Sequence, residues 1–365
     1  MRVGSITAEI IRERLRQVKG PDCDSDIVSL GLLSDIFIAD GKVFFSITIP
    51  NGRAQEFEPL RCAAEKAVND LEGIRAVVVT LTAEKEPKVS SQGHKGAFVS
   101  KPGRRGVLPT KMPIDGVRHV IAVASGKGGV GKSTTAINIA LALQDAGFRT
   151  GLMDADIYGP SLPRLTGLVN RKVQQIEGKK IQPLNKFGLQ LMSMGFLVDE
   201  EKPMVWRGPM VMAAVTQFLR DVVWGPLDIL VIDLPPGTGD VQLTLSQQVQ
   251  LTGALIVSTP QDLSLVDVRK AVEMFMKVDI PILGFIENMS YFIAPDTGKR
   301  YDIFGYGGVR MEAENRGIPL LAEIPLDASL RTSSDEGLPI FIADFEGKNA
   351  GLYRSIVHKI RDKFF

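Results

Sequence analysis

The chain has very little cysteine. Cys23 and Cys62 are the only two in 365 residues, which excludes a disulfide scaffold and a zinc finger. It also has no surplus of charge: 43 Lys and Arg face 42 Asp and Glu, leaving a net charge of +1. That balance gives no global field for nucleic acid or an anionic membrane. No apolar run approaches the roughly 20 residues needed to span a bilayer. The first residues contain no apolar signal core, and Glu9 and Glu13 run against an organelle transit peptide. A soluble, cytoplasmic chain is therefore expected. With 44% hydrophobic and 23% charged residues it can bury a real core, and its length suits about two domains.

The pattern along the chain is α/β throughout. Residues 1–82 read as a small domain. Ile6, Ile10, Ile11 and Leu15 recur at helical spacing, and segments 27–39 and 42–50 alternate like strands around the turn Ala39-Asp40-Gly41-Lys42. Phe57, Leu60, Ala64, Val68 and Leu71 form one helix face, and 76–82 reads as a further strand. Residues 83–114 hold Lys85, Lys88, Lys95, Lys101, Arg104, Arg105 and Lys111 among Pro, Gly and Ser. Without apolar periodicity, or the interleaved aromatics of a nucleic-acid stacking platform, this reads as a flexible basic linker. Within 115–365, apolar strand candidates at 119–124, 150–154, 189–194, 228–233, 254–259, 282–286 and 320–324 alternate with helical patterns. Such a run predicts a doubly wound, mostly parallel sheet buried on both faces. The final stretch, 352–365, is amphipathic and basic. It reads as a helix docked on the domain, with a membrane-lying helix as the alternative.

The strongest motif is Gly126-Lys127-Gly128-Gly129-Val130-Gly131-Lys132-Ser133-Thr134, which fits G-x-x-x-x-G-K-[ST] between a predicted strand and a predicted helix. Gly128, Gly129 and Gly131 permit a loop whose N–H groups turn inward and, with the helix N-terminus, cradle phosphate oxygens. Lys132 supplies a positive charge to the β- and γ-phosphates of ATP, and the Ser133 hydroxyl is the expected Mg²⁺ ligand. Asp233 ends a predicted strand, where a carboxylate lies beside the ligand crevice and is expected to hold Mg²⁺ through water. Leu234-Pro235-Pro236-Gly237-Thr238-Gly239-Asp240 reads as a switch loop, with Gly237 offering a free N–H to a γ-phosphate. Asp154 and Asp156 end another strand. Asp156 is the candidate for orienting or deprotonating the attacking water, and Asp154 for supporting the Mg²⁺ shell or the loop; either is also a candidate helix N-cap.

The second lysine of this loop, Lys127, resembles the deviant Walker A of the MinD/ParA/nitrogenase-iron-protein class. That resemblance implies an ATP-sandwich homodimer in which Lys127 reaches the partner's nucleotide. Further segments, Met153 to Ser161, Trp206-Arg207-Gly208-Pro209-Met210, Glu287-Asn288-Met289-Ser290 and Ile303-Phe304-Gly305-Tyr306-Gly307-Gly308, resemble the Mrp/ApbC family of P-loop ATPases described as iron–sulfur cluster carriers. The likeness covers roughly 118–365, and residues 1–82 resemble the small iron–sulfur-assembly domain often fused ahead of it. It implies that Asn288 contacts adenine, that a [4Fe–4S] cluster is carried, and that the partners are scaffold or client apoproteins. Arg207 lies in a family motif and has no assigned chemistry.

One departure stands out. The family usually places a Cys-x-x-Cys pair after Asn-Met-Ser, and here Ala294 and Thr297 occupy those positions. Neither is a soft thiolate ligand for iron. Both thiols of the chain precede the ATPase domain, and Cys62, opposite the apolar face of its helix, is the better candidate than Cys23 for transient cluster contact. The expected function is a slow ATPase of iron–sulfur assembly. The alternative is a MinD/ParA-like nucleotide-gated switch that positions a partner on membrane or DNA.

Overall fold

The structure is a computed structural model. It describes residues 7–19, 25–34, 36–39, 42–49, 54–71, 73–74, 76–83, 113–176, 180–197 and 208–364. The linker lysines and arginines, Cys23 and Arg207 lie outside the described residues. The chain divides into two compact units.

In the first unit, α1 (Ala8–Leu15) and α2 (Ala54–Asn69) accompany a three-stranded sheet of β1 (Phe37–Ala39), β2 (Lys42–Ile49) and β3 (Ala76–Ala83), in that order. Thr7 caps α1 by accepting from Ile10 N–H at 3.4 Å, and α1 buries Ile11 and Leu15. The predicted face of α2 is the observed one: Phe57, Leu60, Ala64 and Val68 are buried in one core with Val43, Phe45 and Ile47 of β2. β1 and β2 pair antiparallel with Ala39 opposite Lys42, as the hairpin reading requires. The predicted strand over 27–39 is cut down to Phe37–Ala39. Asp26 is the reason: its carboxylate accepts from Val28 N–H, Ser29 N–H and Ser29 hydroxyl at 3.0, 2.8 and 2.7 Å. Those local bonds hold the segment as a turn in competition with a ladder.

From residue 113 the elements are, in chain order, β4 (Val117–Ala124), α3 (Lys132–Asp145), β5 (Thr150–Asp154), α4 (Leu162–Leu165), β6 (Gln174–Ile176), β7 (Lys180–Gln182), β8 (Leu184–Lys186), β9 (Leu189–Ser193) and α5 (Gly208–Asp221). Next come β10 (Leu227–Asp233), α6 (Asp240–Gln248), β11 (Gly253–Ser258), α7 (Asp262–Lys277), β12 (Ile282–Glu287), the pair β13 (Phe292–Ile293) and β14 (Arg300–Tyr301), α8 (Gly308–Arg316) and β15 (Leu320–Glu323). The chain closes with α9 (Ala328–Asp335), α10 (Ile340–Ala343) and α11 (Lys348–Ile360). Eight strands form one sheet in the order β15-β12-β11-β4-β10-β5-β9-β8. All seven predicted strands take part, in parallel; β8 adds an antiparallel edge beside β9.

Two features of this sheet position a ligand. After β4 the chain winds toward β5 and β9, and after β10 it crosses to β11 on the other side of β4. Order thus reverses at β4, and ligands of open α/β sheets bind outside the carboxyl ends of strands at such a point. The helix leaving that point, α3, is buried along nearly its whole length, from Thr135 through Leu143. A helix apolar all round is a core helix, so its N-terminus is held rigidly. The last helix, α11, packs against α3 and β15 and buries Ala350, Tyr353, Ile356, Val357 and Ile360. Its apolar face is occupied by the domain, as the docked reading expects.

Candidate functional site

The loop between β4 and α3 depends on its glycines at definite points. Gly129 and Gly131 have φ of 79° and 80°, a left-handed backbone that side chains disfavour. A Cβ on Gly131 would lie 2.2 Å from Asn288 Nδ2, and one on Gly126 would lie 2.4 Å from the backbone of Asp267 in α7. Gly128, expected to share the special backbone, has no positive φ, and a Cβ there would meet Pro236 only at an ordinary contact of 4.0 Å.

Lys132 is 6% exposed and its ammonium lies 2.5 Å from Asp233 Oδ1 and 3.5 Å from Ser133 Oγ. Removing one member of such a buried pair leaves an uncompensated charge, at a cost of about 3–5 kcal/mol. Sheet register explains the meeting. Asp233 ends β10 directly between Val123 of β4 and Asp154 of β5, so the P-loop lysine and two carboxylates share one end of the sheet.

Asp154 is fully buried and works as an anchor. Its Oδ1 accepts from Asp156 N–H at 3.0 Å, and its Oδ2 from Ser161 N–H, Leu162 N–H and Ser193 hydroxyl at 3.1, 3.2 and 3.1 Å. Burial, then the neighbouring Asp233, push its carboxyl up to about 7, against the pull of Lys132. Asp156 is half-buried; burial raises its pKa while the Lys132 charge lowers it, and its Oδ1 accepts from Gly159 N–H at 3.3 Å. Ser133, Asp154, Ser161 and Asp233 border one small closed space with Leu152, Leu162 and Leu165, too tight for a water molecule as it stands.

Two expectations are modified by geometry. The N–H of Gly237 is not free, since it donates to Ser125 O at 2.9 Å. The switch loop thus rests on the P-loop strand, helped by Gln242, whose amide donates to Pro235 O and Pro236 O at 3.1 and 2.7 Å. Asn288, 8% exposed, donates its side-chain amide to Val130 O at 2.8 Å, so in this conformation it braces the P-loop. Lys127 donates to Gln261 Oε1 at 2.9 Å.

Gln242, Gln261 and Glu287 were not singled out by the sequence reading. Glu287 ends β12 fully buried, accepting from Ser290 hydroxyl at 2.6 Å and from Val309 N–H of α8 at 3.0 Å. The strand-end rule that selects Asp154 and Asp233 also selects Glu287 and, just past β11, Gln261.

Ala294 and Thr297 lie in a closed hairpin. Phe292 pairs with Tyr301 and Ile293 with Arg300. Ala294 N–H donates to Lys299 O, and Gly298 N–H to Ala294 O, at 2.9 and 2.8 Å. Arg300 stacks over the Tyr291 ring at 4.3 Å. Ala294 has no ligating atom, and the Thr297 hydroxyl accepts from Lys299 N–H at 3.4 Å, so this donor set does not fit a thiolate-held cluster. In the first unit, Cys62 is an exposed free thiol whose sulfur accepts from Arg61 Nη2 at 3.2 Å.

Fold and loop together define a P-loop nucleotide-binding protein. A family model described as NUBPL iron-transfer P-loop NTPase matches residues 116–361, and one described as iron-sulfur cluster assembly protein matches residues 8–81. The chain belongs to the NUBPL-type family of iron-transfer P-loop NTPases. An iron-sulfur cluster carrier protein of Synechocystis is 41% identical over 364 residues, 98% of each chain. The mouse iron-sulfur cluster transfer protein NUBPL is 48% identical over 255 residues, 69% of this chain and 80% of its own length. A nucleotide-binding protein of Archaeoglobus fulgidus, solved in complex with ADP, superposes with a TM-score of 0.57 at 38% identity, over 65% of this chain and 92% of that one. Among the described residues, no helix is long and apolar enough to cross a membrane.

Proposed function

We propose that this chain is a cytoplasmic, dimeric, Mg²⁺-dependent ATPase of iron–sulfur cluster assembly, in which ATP gates docking and release of scaffold or client apoproteins. The domain division we propose is 1–82, 83–114 and 115–365. The observation that carries the reading is the buried Lys132–Asp233 pair at the end of the glycine loop. The loop has every part of a triphosphate cradle, and its lysine rests on the carboxylate that would face the cation.

The oxygens of Ser133, Asp233 and Asp154 suit Mg²⁺ by hardness. Mg²⁺ bound there would neutralise charge on the β- and γ-phosphate oxygens. The chain's own groups do the rest. The inward N–H groups of Gly128 to Thr134 bind phosphate oxygens, and Lys132 turns from Asp233 to the β- and γ-phosphates. Asp156, with a raised pKa, orients the attacking water and accepts its proton. Lys127 leaves Gln261 to reach the partner's nucleotide. Gly237 releases Ser125 O and turns its N–H to the γ-phosphate, which makes 234–240 a switch. Asn288 remains the candidate for adenine.

Iron–sulfur cargo is the part the donor set narrows. Within 115–365 there is no cysteine, so a cluster is handled through partner thiols, with Cys62 and Cys23 as this chain's transient contacts. ATP turnover measured beside anaerobic reconstitution with iron and sulfide tests the reading. We expect turnover that Lys132→Ala eliminates and a colourless wild type; a wild type that does not hydrolyse ATP would overturn it.

A further inference from the structure

The loop from β5 to α4 contains a hydroxyl that the fold does not use. Ser161 stands at the N-cap of α4, where a serine ordinarily accepts from the first helical N–H groups. Here its side chain makes no capping bond. Asp154 Oδ2 accepts from the N–H groups of Ser161 and Leu162, the cap residue and the first helical residue, and the next, Pro163, has no N–H to offer a cap. The backbone of Ser161 is therefore fixed by another residue, and its Oγ is buried without a hydrogen-bond partner in the protein. A buried, unpaired hydroxyl is costly, and alanine at this position would remove that cost. The Ser161 hydroxyl faces a small closed space, too tight for a water molecule while Lys132 rests on Asp233, lined by Leu152, Leu162 and Leu165 on one hand and by Ser133, Asp154 and Asp233, the oxygens assigned above to the cation, on the other.

We propose that Ser161 is a further contact of the Mg²⁺–triphosphate site, its hydroxyl oxygen meeting the cation directly or through one of its waters. The inference rests on the nucleotide reading given above. A neutral hydroxyl fits the electrostatics. Asp154, Asp156 and Asp233 already place three carboxyl groups near one ammonium, and a fourth would add to the repulsion by which Asp233, after burial, raises the Asp154 carboxyl. Hydroxyl oxygen is also a hard donor that Mg²⁺ accepts. The contact would tie the 155–161 loop to the loaded site through one side chain.

The test is calorimetric titration of the full chain with the non-hydrolysable analogue AMP-PNP, once with Mg²⁺ and once with EDTA. Wild type, Ser161→Ala, Ser161→Thr and Lys132→Ala are compared. In Mg²⁺, Ser161→Ala should bind about tenfold more weakly than wild type, a difference of about 1.4 kcal/mol, while in EDTA the two should agree within about twofold. Ser161→Thr, which keeps the hydroxyl, should stay near wild type in both. Without nucleotide, Ser161→Ala should melt at or above the wild-type temperature, because it loses only an unpaired group. Equal affinity of Ser161→Ala and wild type in Mg²⁺ overturns the contact, and so does an equal loss in Mg²⁺ and EDTA, which would mark a loop-structural role. A wild type that binds no AMP-PNP overturns the nucleotide reading and this inference together, so the two failures are told apart.

Discussion

At the carboxyl ends of β4, β5 and β10, charged groups are buried where water cannot compensate them: Lys132 against Asp233, with Asp154 alongside. At the β13–β14 hairpin of the same domain, the turn is held by local contacts, among them two backbone bonds across it and a guanidinium stacked on a tyrosine. The first arrangement is expensive to maintain and specific in what it accepts. The second is a turn that stands closed with no thiol at 294 or 297. Residues 126–134 keep the full phosphate-loop pattern, while 294 and 297 sit in a hairpin where Ala294 is buried and neither residue is a thiol.

The largest expected effect breaks the first side of that contrast. Lys132→Ala should lower ATP affinity at least about a hundredfold, because it removes a charge-assisted contact to phosphate and leaves Asp233 unpaired and repelling it. Calorimetry decides it, and binding within about threefold of wild type would count against the site. The next effect attacks the second side. The double variant Ala294→Cys, Thr297→Cys restores soft donors in the hairpin. After anaerobic reconstitution it should show the visible absorbance of a cluster, which wild type lacks. If wild type colours equally, ligands outside the hairpin hold the cargo and the contrast loses its meaning.

Much of this contrast was legible in the sequence. The phosphate loop, both strand-end aspartates and the absence of thiols at 294 and 297 are local patterns, fixed by residue type and spacing. The large sheet was equally legible because parallel strands buried on both faces are uniformly apolar. What escaped depended on partners distant in sequence. Nothing near Gln261 indicates that Lys127 rests on it 134 residues away. Nothing near Gly237 shows that its N–H is taken by Ser125. The small strands β6 to β8 are three residues each, too short for any periodicity to register.

A third effect concerns Lys127. It lies outside the buried charge cluster and bonds to a neutral amide, so Lys127→Ala should change ATP affinity by less than about threefold. If the lysine serves the partner's nucleotide, turnover per site should fall about tenfold or more, as loss of a transition-state charge contact does. Steady-state turnover at saturating ATP is the measurement, and unchanged turnover would refute the cross-subunit role.

The smallest effect lies inside the cleft and is read in stability. Asp154 has a carboxyl pushed up to about 7 in the folded chain, first by burial and then by Asp233. In the unfolded chain it titrates near the ordinary value of about 4. Between about pH 4 and pH 7 the folded chain therefore binds a proton that the unfolded chain has released. Stability from this group falls as pH rises through that window, and levels off above about 7. Asp154→Asn cannot titrate, so its urea-unfolding free energy should lack this falling component between about pH 4 and pH 8. A variant that reproduces the wild-type slope would show that Asp154 stays ionised throughout. The four donors aimed at it would then outweigh its burial, and the cleft would carry one more negative charge at neutral pH than the coupling to Asp233 implies.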